Sequence, residues 1–218
     1  DWDPSRLPPP PHRAYGATMY RFAAHCLFCC AALVWGMTFI AQKTGMDTIG
    51  PMAFTFSRYV MGSLFILPLA ALESRKTSLA QYVSNTPRLR IGVGCLGVLM
   101  FCGMSLQQTA LLYTSVANAA FLTALYVPLV PLIAALLLRR TIAVNVWPAV
   151  ILSLVGSFLL SGASAIAAQL GDLLTVLGAF FWAAHILLAQ WMMGAVNAPF
   201  QMSFVQSIVT AFLAGMVM

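Results

Sequence analysis

Charge is what this chain has least of. Only 7% of its 218 residues are Asp, Glu, Lys or Arg, against about a quarter in a soluble domain. That is too little to coat a water-facing surface, so an ordinary soluble globule is excluded. Acids are scarcest, with 5 Asp and Glu against 11 Lys and Arg. No Lys follows Lys76, which removes the Schiff-base residue that a retinal protein needs in its last span. There is no His-Glu-x-x-His zinc motif, no ATP-binding motif, and no Ser with a plausible His and Asp pair. The expectation is therefore a protein that is not an enzyme, carries no cofactor and uses no ATP. The five cysteines, Cys26, Cys29, Cys30, Cys95 and Cys102, all fall in apolar stretches and read as small apolar fillers. Cys26-x-x-Cys29-Cys30 has metal-like spacing but no second Cys/His pair nearby, so no metal site is expected. The first residues are polar and Pro-rich, with prolines at Pro8 to Pro11, and lack the apolar core of a signal peptide. Residues 1–18 are expected to be disordered, and Met19 is a candidate natural start.

What is present is apolar length. The hydrophobic fraction is 61%, and a bilayer-crossing helix needs about 20 mostly apolar residues. Runs of that kind cover roughly 22–42, 51–72, 91–112, 115–138, 143–162 and 171–193, and a seventh begins near Pro199. They are apolar on all sides, and lipid cannot satisfy an open backbone, so helices rather than barrel strands are expected. The basic residues set the topology. They cluster as Arg6, Arg13 and Arg21, then Arg75, Lys76, Arg88 and Arg90, then Arg139 and Arg140. Two apolar runs separate each pair of clusters, which puts all three on the cytoplasmic face of a multi-pass protein with a cytoplasmic N-terminus. The net charge of +6 therefore reflects topology, and no nucleic-acid partner is expected.

Helix contacts are written in small residues. Ala149, Ser153, Ser157 and Ser161 form a stripe on the fifth run, and Gly92, Gly94, Gly97 and Gly103 open the third to close approach. Pro128 and Pro131 should bend the fourth.

An internal echo divides the chain. Trp35 matches Trp182, Thr38 matches His185 and Gln42 matches Gln190; Pro51, Phe56 and Arg58 match Pro199, Phe204 and Gln206 at a shift of about 148 residues. Five runs separate the copies, so the second lies inverted in the membrane. Inverted repeats build alternating-access transporters, with the site near the midplane.

The same residues carry a family resemblance. Leu33-Val-Trp35-Gly, Thr38, Gln42, Gly45-Met46, Gly50-Pro51 and Phe56-Ser-Arg58-Tyr59 resemble the first repeat of the EamA family of the drug/metabolite transporter superfamily. Tyr113-Thr-Ser-Val-Ala-Asn118 through Tyr126-Val-Pro128 is similar to its fourth helix, and Gly171-Asp172 followed by Trp182 to the start of its second repeat. The resemblance implies ten helices in two inverted five-helix repeats that move small metabolites, such as amino acids, out of bacteria across the inner membrane. About seven of the ten would lie here: 19–162 as the first repeat and 171–218 as the start of a second, with the chain read as a fragment. The family often carries a Gly-Glu pair after the fourth helix, where this chain has Arg139-Arg140.

The candidate substrate-binding residues are Trp35, Thr38, Gln42, Arg58, Asn118, Tyr126, Trp182, His185, Gln190 and Gln206. Arg58 is the one charge well inside a run, about 10 Å from its end, and can meet an anionic substrate group. His185 titrates near neutrality when unperturbed and suits proton coupling. Trp35 and Trp182 can wall a cavity or simply pack. Gln107 and Gln108 read as interfacial. Asp172 reads as a helix cap. The expected partners are the lipid bilayer and a small-molecule substrate, and a homodimer is compatible with the sequence. A channel subunit or a non-transporting scaffold is the alternative, although no acidic ring or carbonyl filter is evident.

Overall fold

In a computed structural model the described residues are 11–46, 48–136, 139, 143–144, 146–160 and 170–218. Every regular element among them is a helix. In order these are α1 (Pro11–Gly45), α2 (Pro51–Ser74), α3 (Leu79–Asn85), α4 (Pro87–Ala110), α5 (Val116–Thr123), α6 (Tyr126–Leu136), α7 (Val146–Leu160), α8 (Leu170–Ala195) and α9 (Pro199–Val217). The chain forms two compact units, Asp1–Ala41 and Gln42–Met218.

Among the described residues, six stretches are long and apolar enough to cross a membrane: Phe22–Gly45, Pro51–Ser74, Pro87–Ala110, Val116–Leu136, Leu170–Ala195 and Pro199–Val217. Their outward faces carry Phe28, Leu33, Leu64, Phe65, Leu173 and Phe212, all well exposed. The buried positions include Thr55, Ser63, Gln107, Gln108, Thr175 and Thr210. Large apolar groups outside, with several polar groups among the buried residues, fit a chain solvated by lipid. This is an all-α, multi-pass membrane protein.

Four boundaries differ from the sequence reading. The segment 1–18 was expected to be disordered, but α1 already runs from Pro11, where proline is tolerated at the first helical position because its missing N–H has no partner there anyway. Residues 1–10 lie outside the described set. Within the basic loop, α3 forms a short helix whose N-cap Ser78 hydroxyl accepts from the Gln81 backbone N–H. The fourth run divides into α5 and α6. Pro128 has no N–H for the Ala124 carbonyl, which accepts instead from Val127 N–H at 3.0 Å. The fifth appears as α7, 15 residues long, and its expected end at 161–162 lies outside the described residues. So does Ser161 of the small-residue stripe, along with the side chains of Ala149, Ser153 and Ser157.

In the second unit, α2 packs along α9, and α4 lies against both α8 and α9. Glu73 at the end of α2 meets Gln201 at the start of α9, and Phe56 near the start of α2 packs on Gly215 near the end of α9. These two helices are therefore antiparallel. So are α4 and α8: Gly92 faces Met192, Gly103 faces Trp182, and Ala110 faces Gly171. The ends of α2 and α8 and the starts of α4 and α9 thus gather at one end of the bundle, which carries Arg75, Lys76, Arg88 and Arg90. A core of Leu79, Leu89, Met192, Val196, Ala198 and Met202 fills that end.

That end is also tied by polar contacts. Gln201 N–H donates to Glu73 Oε2 at 2.8 Å, so a carboxylate from α2 caps α9 and faces the positive end of its dipole. The Gln201 side chain then donates to Thr77 O at 2.7 Å and accepts from Leu79 N–H at 3.0 Å. At the opposite end, Lys43 Nζ donates to Leu111 O. There the Thr114 hydroxyl donates to Asp172 Oδ1 at 2.6 Å.

Candidate functional site

Four helices of the second unit bring one continuous group of residues together. The Arg58 guanidinium of α2 lies over the Tyr59 ring at 5.0 Å and near Phe54 at 5.9 Å. Stacking of this kind shields a cation that lipid would otherwise leave exposed. Tyr59 packs with Met104 of α4 and Ala211 of α9, and Trp182 of α8 packs against that cluster. Trp182 meets His185 edge to face, 5.7 Å between centroids and 84° between planes. His185 Nε2 donates to Gln206 Oε1 of α9 at 2.9 Å. With the proton on Nε2, a neutral ring would present Nδ1 as an acceptor.

Several buried polar atoms here have no hydrogen-bond partner among the described residues: Arg58 Nη2, Trp182 Nε1 and His185 Nδ1. Such atoms are uncommon in native interiors, and each carries a desolvation penalty. The position is central. His185 is about 15 Å from the C-terminal end of α8, and Gln206 about 10 Å from the start of α9, at 1.5 Å per residue.

The other sequence candidates fall elsewhere. Asn118, buried on α5, has an unpartnered Oδ1, and Tyr126 is half-buried at the start of α6; both half-helices pack on α8. Gln42 is buried. Gln190 is exposed and lines a shallow polar depression with Trp191, Gly194 and Ala195, toward the basic end. It shares α8 with His185 but lies five residues further on, on a different face. Trp35 and Thr38 belong to the first unit, where the Thr38 hydroxyl donates to Trp35 O at 2.6 Å and Trp35 is exposed.

Two expectations are corrected. Gln107 and Gln108 are not interfacial; both are fully buried, Gln107 on the Gly103, Gln107, Ala110 stripe of α4 that turns toward α8. Asp172 is not simply a cap, because it is buried and accepts the Thr114 hydroxyl across 58 residues. Sequence reading also missed Tyr59 and Met104, although Tyr59 directly follows Arg58. A cavity of about 390 Å³ lies near the basic end, lined by residues such as Leu67, Leu79, Val83 and Phe204. It is apolar and offers little to hold a polar solute.

Residues 22–162 match the EamA-like transporter family. The chain belongs to that family. An uncharacterized transporter of Archaeoglobus fulgidus is 31% identical over 176 residues, 81% of this chain and 51% of that protein. The chain thus spans about half the length of the curated relative it matches. No solved structure matches it significantly. The EamA-like match runs from Phe22 within α1 through α7, whereas Trp182, His185 and Gln206 lie beyond it on α8 and α9. The central group therefore joins residues of the matched region, Arg58, Tyr59 and Met104, to residues that follow it.

Proposed function

We propose that the protein is a secondary transporter, exporting a small polar or amphipathic metabolite such as an amino acid across the bacterial inner membrane by alternating access. The observation that carries this reading is the partly buried group from Arg58 through Tyr59 and Trp182 to His185 and Gln206 inside a lipid-facing bundle. Intramembrane charge and orphaned polar atoms are expensive and tend to mark a substrate path. Family membership supports transport. In this reading Arg58 meets an anionic group, His185 and Gln206 take a polar group, and Trp182 walls the site. Asn118, Tyr126 and Gln42 extend it within the second unit, with Gln190 toward the basic end; Trp35 and Thr38 of the first unit are proposed as substrate residues on the sequence resemblance alone. The family's inverted repeats supply the two halves that rock against each other.

The test is flux through the full-length gene product in proteoliposomes, screened with radiolabelled amino acids and their analogues. Substrate counterflow should be found. Arg58→Ala should abolish it and Arg58→Lys should weaken it, because a point ammonium does not reproduce the planar guanidinium. His185→Gln should remove any pH dependence of the rate. Equal flux in wild type and Arg58→Ala at equal protein level would overturn the assignment.

A further inference from the structure

The sequence reading set Gln107 aside as interfacial, yet it is 1% exposed, and neither Oε1 nor Nε2 has a hydrogen-bond partner among the described residues. Its neighbours locate it. One turn toward the basic end, Gly103 carries the Trp182 indole, whose Cδ1 and Nε1 both lie 3.3 Å from where a glycine Cβ would be. One turn toward the other end, the Ala110 carbonyl touches Gly171. Gly178 of α8 lies directly across, close to the Gly103 carbonyl and the Gln107 backbone N–H. Two glycines thus let α4 and α8 approach closely beside Gln107, and Trp182, with its orphaned Nε1, packs one turn away at Gly103.

An amide in such a place has no structural return. An apolar side chain of the same length would pack the interface without stranding a donor and an acceptor. We infer that Gln107 is a further substrate-contacting residue that sets specificity: its amide both donates to and accepts from one neutral polar group of the transported molecule, such as a carboxamide or hydroxyl. Trp182 Nε1–H donates beside it, and Arg58 holds the anionic group. This rests on the transport reading above and narrows the substrate class. The favoured solute has one carboxylate and, at a distance from it, a neutral group able to give and receive hydrogen bonds. A purely aliphatic analogue leaves the amide unmet, and a site built to bond a polar group rejects the analogue that lacks it more strongly than an apolar pocket rejects the converse.

The experiment uses the full-length protein with Gln107→Met and Gln107→Leu, and has two readouts. The first is thermal unfolding of the purified protein without added solute. Both substitutions should raise the midpoint by a few degrees, because a buried unsatisfied amide is replaced by packing. The second is counterflow in proteoliposomes with L-glutamine and with L-norleucine. Wild type should favour L-glutamine, and each variant should lose at least about tenfold of that preference, the size of one buried hydrogen bond. A lowered midpoint with an unchanged glutamine-to-norleucine ratio would mean that the amide is a structural element, and would overturn the inference. The unfolding arm reads even if neither amino acid is carried. A protein with no flux of any kind but raised midpoints would therefore refute the transport reading while leaving Gln107 as a strained, unmet group.

Discussion

Gly94 and Gly97 stand three residues apart on α4, and the structure sets them in opposite situations. A Cβ at Gly94 meets nothing within 4 Å. A Cβ at Gly97 would lie 2.5 Å from both Cβ and Cγ1 of Val209 on α9. Val209 Cβ is bonded to the backbone and no rotamer change moves it, so α9 itself must withdraw. Replacing glycine by alanine inside a helix gains roughly 0.5–1 kcal/mol through backbone entropy. Gly94→Ala keeps that gain and should be neutral or slightly stabilising. Gly97→Ala has the same gain offset by overpacking of about 1–3 kcal/mol. Withdrawal of α9 also lengthens the bond from the Thr210 hydroxyl to the Gly97 carbonyl, already 3.4 Å. The two variants should therefore differ by about 1–3 kcal/mol, or several degrees in unfolding midpoint. Tryptophan fluorescence of the purified protein in mild detergent during a temperature ramp measures the difference. Gly97→Ala melting at or above Gly94→Ala would refute the close α4–α9 packing on which the site's position depends.

Other expectations follow from the same packing. Glu73→Gln keeps an acceptor for Gln201 N–H but loses the charge facing the α9 dipole, so the first turn of α9 should exchange amide hydrogens faster, with a loss of about 0.5–1 kcal/mol. Hydrogen exchange read by mass spectrometry on that turn checks this, and unchanged protection would count against the cap. Ser78→Cys and Arg88→Cys should react with an impermeant maleimide from one side of sealed vesicles and Tyr113→Cys from the other; labelling of all three from one side would contradict the bundle's polarity.

Much of the fold was legible because its signals are local. Pro51 and Pro199 open α2 and α9, the apolar lengths mark the spans, and Pro128 announces the break that appears four residues earlier. The glycines of α4 pointed to close contact, and three of the four, Gly92, Gly97 and Gly103, do meet a neighbouring helix. Arg58, Trp182, His185 and Gln206 were legible as candidates, because polar and aromatic groups stand out in apolar runs. Gln107 was misjudged by its nearness to the end of a span; whether a residue near an end is wet depends on which neighbour its stripe faces. The ties from Glu73 to Gln201 and from Thr114 to Asp172 left no trace in the sequence pattern. Each joins residues far apart in the chain, and nothing in the flanking residues records the partner.

The interruption between α5 and α6 has a mechanical consequence. An intact helix resists bending because every hinge breaks ladder bonds, and inside a bilayer no water replaces them. Here Pro128 has already removed one donor that would cross the joint, and Ala124 O has settled on Val127 N–H instead. Swinging the α6 arm against the α5 arm starts from a ladder that is already one bond short. Both arms lean on α8, so this joint is an elbow through which the half-helix bearing Tyr126 can pivot while α8 keeps its shape.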